Sequence, residues 1–188
     1  LFLNEVGLQW EFGEPWIDCN LENYYCIDDT YTVDAVYKNL PIRVTWDGAM
    51  AYCEWVGGRL PTEAEWEKAA RGPDGYLFPW GDEEPDCAKA NLLGCVGEVS
   101  PPGNHPDGGG VYGVEDLIGN LEEWVADWLG ETYYKDSPYE NPMGPDEGFM
   151  KVVRGGSYGL IIKDLTSTYR FMRYRIYDEG FRCVIPIP

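Results

Sequence analysis

The chain has 188 residues, 44% of them apolar, which is enough for one domain with a hydrophobic core and too few for two domains of ordinary size. Its 33 acidic and 14 basic residues give a net charge of −19, which would repel nucleic acid and anionic lipids. No apolar run is long enough to span a bilayer. The composition therefore argues against nucleic-acid binding and direct membrane insertion.

Two helices are predicted in the first half of the chain. Thr45 is a suitable N-cap for the first helix, and a glycine pair beginning at Gly57 ends it. Thr62 and Glu65 have the spacing of a capping box at the start of the second helix, and Gly72 follows its last turn. Both segments carry apolar residues at helical spacing, so each is expected to pack one face on the core.

After Gly72 the helical periodicity fades, and short apolar stretches alternate with glycine and proline. This pattern predicts short strands and long structured loops. The segment 97–110 is predicted to be an exposed loop, and its histidine, His105, to be exposed and without a role. The chain contains no GxSxG motif, no P-loop and no Ser/His/Asp set, so nothing singles out a hydrolase.

The six cysteines form two close pairs and one distant pair. This spacing suggests three disulfides, although six cysteines allow many other connectivities. The suggested pairs are Cys19–Cys26, Cys87–Cys95 and Cys53–Cys183. Disulfides would place the chain in an oxidising, extracytoplasmic compartment such as the periplasm, the cell surface or the medium. Buried free thiols in a cytosolic protein are the alternative.

Five blocks of sequence are distinctive. They are PIRVTWDGAMAYCEWVGGRLPTEAEWEKAARG, PWGDEEPDCAKAN, YGVEDLIGNLEEWVADW, VVRGGSYG and GFRC. Their order resembles the formylglycine-generating enzyme family, also called sulfatase-modifying factor domains, from about Pro41 to Cys183. The resemblance implies an α+β, C-type-lectin-like fold, with little regular secondary structure, two helices near the N-terminal half, short antiparallel strands and long loops. It also implies a disulfide between Cys53 and Cys183.

The resemblance divides the chain into a domain over 41–188 and an N-terminal segment, 1–40, that contains the Cys19/Cys26 loop. Family members usually carry a longer portion before this domain, so the segment is incomplete relative to the family. We expect the chain either to be part of a longer protein or to complete its sheet against a neighbour in an assembly.

In the family's enzymes, two cysteines after the RGGS block hold a copper ion, which oxidises a client cysteine to formylglycine with O₂. The corresponding positions here are Leu160 and Leu165. Because leucine has no metal-binding atom, we expect no copper site. A related branch binds iron through several histidines, whereas this chain has one, so we expect no iron site either.

The resemblance also implies structural calcium, because carboxylate, amide and carbonyl oxygens are the ligands that Ca²⁺ prefers. The implied ligands of one site are the side chains of Asp116 and Glu123 and the carbonyl groups of Gly119 and Leu121. Glu122 stands where the family usually has tryptophan. A second site would use Asn91 and the carbonyl of Leu92, but its aspartate position falls near Gly94. A glycine turn with a solvated acidic face is the alternative at the first site.

The segment after the RGGS block is unusually rich in aromatic and apolar residues. The candidate binding residues are Tyr158, Leu160, Ile161, Ile162, Phe171, Arg173, Tyr174 and Tyr177. On this fold the corresponding loops face the client-binding groove, and such residues are typical of interface cores. Ordinary core packing is the alternative.

Together these features predict a non-catalytic, calcium-stabilised, extracytoplasmic module that binds a protein partner or ligand, or assembles with other chains. A formylglycine-generating oxidase acting on a client cysteine is one alternative function. Another is a variable ligand-binding protein of a diversity-generating retroelement, since such proteins share the fold and vary after the GGS block.

Overall fold

The computed structural model describes residues 39–160, 165–177 and 179–186, and the backbone of 24–27 and 30–33. Its elements are β1 (Tyr24–Ile27), β2 (Thr30–Val33), α1 (Trp46–Trp55), α2 (Glu63–Arg71), a 3₁₀ turn (Pro106–Gly108), β3 (Glu123–Trp128), α3 (Tyr133–Asp136), β4 (Lys151–Arg154), β5 (Arg170–Arg173) and β6 (Gly180–Phe181). Long loops join these short elements, which confirms the predicted α+β class. None of the helices in these ranges is both long and apolar enough to cross a membrane.

A four-stranded sheet in the order β5-β4-β3-β6 forms the centre of the domain, and β1 and β2 form a separate antiparallel hairpin. β4 pairs antiparallel with both β3 and β5, in agreement with the predicted antiparallel strands. β6 lies parallel to β3, with Glu123 opposite Gly180. The expectation of antiparallel strands therefore holds for the sheet except at this edge, where the chain returns after β5 in the direction of β3.

Both predicted helices are present, with the predicted caps. The hydroxyl group of Thr45 accepts a hydrogen bond from the backbone N–H of Gly48 at the start of α1. At the start of α2, the hydroxyl group of Thr62 accepts from the N–H of Glu65, and the Glu65 carboxylate accepts from the N–H of Thr62 at 2.9 Å. This reciprocal pair satisfies two backbone donors that the first turn leaves without helical partners.

The core lies between the helices, the sheet and the loops. One buried cluster contains Trp124 of β3 and packs against α1, and a second contains Trp66 of α2 and packs against β3 and β4. A third, formed by loop residues, consists of Ala90, Leu92, Ile118 and Leu165. Aromatic rings thus supply the centre of the first two clusters, as the high aromatic content of the chain suggests.

Two disulfides are present in the described residues. Cys53–Cys183 ties α1 to the chain after β6, and Cys87–Cys95 closes a loop beside the third cluster. Both agree with the pairs that the sequence suggests. The third suggested pair, Cys19–Cys26, lies outside the residues whose side chains the structure describes.

The two glycines of the RGGS block occupy positions that require glycine. Gly155 and Gly156 have φ values of +84° and +71°, a region that disfavours residues with a side chain. A Cβ atom on Gly156 would lie 2.1 Å from a methyl carbon of Leu165. The block therefore brings the backbone directly onto the third cluster.

His105 is buried, which corrects the expectation of an exposed side chain. Its Nδ1 lies 3.1 Å from the carbonyl oxygen of Cys87, and its Nε2 lies 3.4 Å from the hydroxyl oxygen of Ser100. The imidazole thus joins the 97–110 loop to the disulfide loop that begins at Cys87. These contacts span up to 18 residues of sequence, so composition alone did not reveal them.

Candidate functional site

The two positions of the expected copper ligands are filled by hydrocarbon. Leu165 has 0% of its surface exposed and belongs to the third core cluster. Leu160 is half-buried and packs against the same cluster, as does Cys95. Both leucines thus contribute to packing. Neither carries an atom that binds copper, and the nearby thiol of Cys95 is consumed by its bond to Cys87.

The loop that should hold calcium has an unusual backbone. Asp116, Gly119 and Asn120 all have positive φ values, of 55°, 80° and 61°. For residues other than glycine this conformation costs free energy, and aspartate and asparagine tolerate it best. The side-chain amide of Asn120 holds the turn by donating to the carbonyl oxygen of Ser100. Hydrogen bonds from the neighbouring loop thus hold this turn in a backbone conformation that non-glycine residues disfavour.

Arg182 of the GFR block holds Glu123 at the other end of this loop. The guanidinium group donates from Nε to Oε2 of Glu123 at 2.6 Å and from Nη2 to Oε1. The indole Nε1 of Trp66 also donates to Oε2 of Glu123 at 2.7 Å. Nη2 of Arg182 reaches the carbonyl oxygens of Glu115 and Asp116 as well. One arginine thus joins the carboxylate of Glu123 to the backbone of Asp116.

The carboxylate and carbonyl oxygens of these residues are the kind of ligand atom that a hard cation prefers. Asp116, Leu121 and Glu123 line a cleft of about 360 Å³ together with Arg182. Each carboxylate oxygen accepts two hydrogen bonds, so Oε1 of Glu123 keeps one lone pair after binding Arg182. No three carboxylate, histidine or cysteine side chains converge on a metal position in the described part of the chain. A calcium ion would therefore depend on carbonyl oxygens, as the resemblance implies.

The residues of the second implied calcium site are engaged in other contacts. The Asn91 side-chain amide donates to the carbonyl oxygen of Glu98 at 2.7 Å, and its oxygen accepts from the N–H of Val96. The carbonyl oxygen of Leu92 accepts from the N–H of Cys95 at 2.9 Å. These groups hold the loop that follows Asn91. The second site stays a prediction, with no side chain at Gly94 to supply its carboxylate.

The candidate binding residues separate into two groups. Tyr158 is half-buried beneath Arg43, with the guanidinium carbon 5.9 Å from its ring centre, and Leu160 packs on the core. The others lie on β5 and the turn after it, where four large side chains are exposed. We call these the aromatic surface: Phe171, Tyr174, Ile176 and Tyr177. Ile161 and Ile162 fall outside the described residues.

Arg173 supports the aromatic surface from beneath. It pairs with Glu122 at 2.7 Å and with Glu179 at 2.9 Å, and its guanidinium carbon lies 4.4 Å from the ring centre of Phe171. Burial and the neighbouring Glu179 charge raise the pKa of Glu122 to about 6. Glu122, which replaces the tryptophan usual in the family, thus links the loop of the implied calcium site to β5.

Comparison with known protein families shows the family of the chain. The model of the sulfatase-modifying factor enzyme 1-like domain matches residues 13–187. The chain belongs to this family. Formylglycine-generating enzyme from Streptomyces coelicolor is 39% identical over 132 residues, which are 62% of this chain and 41% of that protein. This identity agrees with the resemblance carried by the sequence blocks.

Other proteins similar to this chain carry different names. Serine/threonine-protein kinase Pkn1 from Chlamydia trachomatis is 39% identical over 152 residues, which are 78% of this chain and 24% of that protein. The solved structure of Treponema denticola variable protein 1 has a TM-score of 0.61 and 29% identity, and the match covers 67% of this chain and 46% of that one. The chain thus spans about a quarter of the first relatives' length, and the fold occurs in proteins of different activity.

The sequence did not predict the ion pairs that hold the implied calcium loop and the end of β5. Arg182 and Glu179 were not identified as functional, although Arg182 lies within the recognised GFR block. Glu123 lies 59 positions from Arg182, and Arg173 pairs with Glu179 across the turn that follows β5, so only the fold reveals the pairs. The occurrence of an arginine in a signature block was the one available signal.

Proposed function

We propose that this sulfatase-modifying factor domain is a non-catalytic, calcium-stabilised module that binds a protein partner outside the cytoplasm. The observation that carries the proposal is the complete burial of Leu165, at a position where the family's oxidases place a copper-binding thiolate. A leucine in an apolar cluster gives neither a metal ligand nor room for one. Burial of this side chain stabilises the fold instead.

The aromatic surface supports binding to a protein. Tyr174 and Tyr177 stack at a tilt, with ring centres 6.2 Å apart, and both are about half exposed. Ile176, between them in sequence, is 69% exposed. Grouped aromatic and aliphatic side chains of this kind form the energetic centre of many protein interfaces. The ion pairs of Arg173 fix the end of β5, where the turn that carries these residues begins, and this lowers the ordering cost of binding.

Location outside the cytoplasm is supported by the disulfides. Cys53–Cys183 joins residues 130 positions apart, and Cys87–Cys95 joins residues 8 apart. No free cysteine occurs among the described residues. Structural disulfides persist in oxidising compartments, such as the periplasm and the cell exterior.

A pull-down from an extract of the source cells, read out by mass spectrometry, tests binding through the aromatic surface. The intact protein should retain a stoichiometric partner, and Tyr174→Ser combined with Tyr177→Ser should release it. Leu77→Ser, which alters an equally exposed apolar side chain elsewhere, is the matched control. Equal recovery with both variants would contradict the proposal.

An assay for copper and for cysteine oxidation separates this function from the oxidase alternative. The purified protein is incubated with Cu(I), O₂ and a client peptide that carries a sulfatase-type cysteine. We expect no stoichiometric copper and no aldehyde in the peptide, since Leu160 and Leu165 offer no thiolate. Aldehyde formation with repeated turnover would overturn the non-catalytic assignment.

Calcium at the Asp116–Glu123 loop has its own test. Binding to the folded state alone stabilises by about 2.7 kcal/mol when free calcium is about one hundred times Kd. For a chain of this size, that should raise Tm by about 5–10 °C over the value in EDTA. Asp116→Asn keeps a residue that tolerates positive φ and should abolish the increase. The exposed Asp107→Asn is the control, and a calcium-independent Tm would remove calcium from the proposal while leaving the partner binding.

A second candidate is a ligand-binding protein whose aromatic surface varies between copies. It is favoured by the likeness to Treponema denticola variable protein 1, at 29% identity. Sequencing many copies of the gene from one population tests it. Variation concentrated at Phe171, Tyr174, Ile176 and Tyr177 would support this candidate, and uniform sequence there would reject it.

A further inference from the structure

The loop of residues 137–149 exposes three large apolar side chains. Tyr139 is 100% exposed, Phe149 is 91% exposed and Met143 is largely exposed. Single exposed apolar residues are common on proteins, but three within one short loop are not scattered. This loop lies between α3 and β4, away from the sequence blocks that define the implied metal sites.

The same loop is held tightly at two points. A Cβ atom on Gly144, whose φ is +78°, would lie 2.6 Å from Oδ1 of Asp127. A Cβ atom on Gly148 would lie 2.9 Å from the Cβ of Trp128. Only glycine allows such close approach of the loop backbone to β3. The loop is therefore anchored on the sheet while its large side chains point away from it, as in a preorganised binding surface.

A groove of about 480 Å³ separates this loop from α2. It is lined by the small side chains of Ala64 and Ala69 and by the larger side chains of Tyr112, Tyr139 and Met143. A groove lined by small, aromatic and thioether side chains fits an extended chain that inserts apolar side chains. Tyrosine and methionine are both enriched in protein interfaces.

The surroundings of the groove are acidic. Residues 131–149 contain five carboxylates and one lysine, Lys135. At the groove itself, Glu65 is paired with Arg59 at 2.6 Å, and Lys68 contributes one positive charge. The loop of residues 137–149 itself contains three carboxylates, Glu140, Asp146 and Glu147, and no basic residue, so it carries a net charge of −3 within a chain of net charge −19. Such a field attracts cations and repels acidic partners.

We propose that the 137–149 loop and the groove beside α2 dock an extended, basic segment of a partner protein. Apolar side chains of the segment fill the groove between Tyr139 and Met143, and its lysines or arginines face the carboxylates of the loop. This surface is separate in sequence and in structural elements from the aromatic surface on β5. It would bind whether or not the aromatic surface has a partner of its own.

Selection from a display library of random peptides on the intact folded protein tests the proposal. Peptides rich in lysine or arginine with apolar residues should be enriched. Their affinity should fall at least about tenfold with Tyr139→Ser and with Glu140→Lys, and should fall as salt is raised. Tyr174→Ser, on the aromatic surface, is the matched control and should leave their affinity unchanged. Circular dichroism and thermal melting establish that each variant is folded.

Three outcomes would overturn the proposal. One is enrichment of acidic or uncharged peptides, another is affinity that survives both loop variants, and the third is the absence of any loop-dependent peptide. Peptides that are lost only with Tyr174→Ser would place binding on the aromatic surface instead. Because the two surfaces have separate variants, failure here leaves the proposed function standing, and the reverse also holds.

Discussion

Replacing Leu165 by alanine tests the packing on which the proposed function rests. The side chain is fully buried among Ala90, Leu92 and Ile118, and the backbone of Gly156 lies directly against it. Buried leucine-to-alanine changes cost about 2–5 kcal/mol, and more where the site cannot collapse. A backbone anchored by the sheet on one side relaxes little. We therefore expect a loss of about 3–4 kcal/mol in the free energy of unfolding.

Urea denaturation, followed by tryptophan fluorescence with the disulfides intact, measures this loss. In a thermal melt of the same variant, Tm should fall by about 6–16 °C, at about 2–4 °C for each kcal/mol of lost stability. The m value should stay constant if only packing has changed. The control is Leu93→Ala, which removes the same atoms from an exposed leucine nearby and should cost less than about 0.5 kcal/mol.

A loss below about 1 kcal/mol for Leu165→Ala, with an unchanged m value, would refute the reasoning. It would mean that the side chain does not fill the space beside the RGGS block. The space would then be open to a ligand or a metal, and the strongest argument for a non-catalytic domain would be lost.

Three other predictions concern stability. Serine in place of both residues of Cys53–Cys183 should cost about 4–5 kcal/mol by urea denaturation, because the bridge spans 130 positions, and a loss below about 1 kcal/mol would contradict this. Lys151→Met should cost about 1–3 kcal/mol, since a buried carbonyl loses its donor and two indole rings lose a cation, whereas exposed Lys135→Met should be near neutral. Burial raises the pKa of Asp127 to about 6, so between about pH 4 and 6 the folded state keeps a proton that the unfolded chain releases. The stability of the wild type relative to Asp127→Asn should therefore fall as the pH rises through this range. A difference in stability that does not change with pH would refute this.

Local chemistry made the helices and the glycine turns predictable. Thr62 and Glu65 can form a capping box only at a helix start, and the structure places one there. A glycine pair in the RGGS block likewise indicates backbone that other residues avoid, which Gly155 and Gly156 confirm. Each of these signals needs only neighbouring residues to be read.

Contacts between distant residues were beyond sequence reasoning. β3 was not predicted as a strand, because its residues are mostly buried on both faces and show no alternation of apolar and polar types. His105 looked exposed in a Gly/Pro-rich loop, yet it contacts the carbonyl of Cys87. The pairing of Glu123 with Arg182 joins residues from separate blocks. Such polar pairs leave no periodic trace in the sequence.

The arginines of the last third of the chain are neutralised by ion pairs with carboxylates that are mostly buried. They are Arg154, Arg170, Arg173, Arg175 and Arg182, and each pairs with carboxylates of other elements. These cations therefore act as internal links between the C-terminal strands and the helices or β3. Because each of these arginines is offset by at least one partner carboxylate, the excess negative charge of the chain belongs mostly to other carboxylates, most of which, among the described residues, face solvent.

This distribution makes salt a way to distinguish the two proposed surfaces. A basic segment at the 137–149 loop is attracted by solvent-exposed carboxylates, which salt screens over about 10 Å at moderate ionic strength. The aromatic surface owes its shape to Arg173, whose partners Glu122 and Glu179 are mostly buried and therefore poorly screened. Binding there should depend mainly on apolar contact. High salt should thus release a partner from the loop while leaving one on the aromatic surface in place, and equal sensitivity at both surfaces would contradict the assignment of the arginines as internal links.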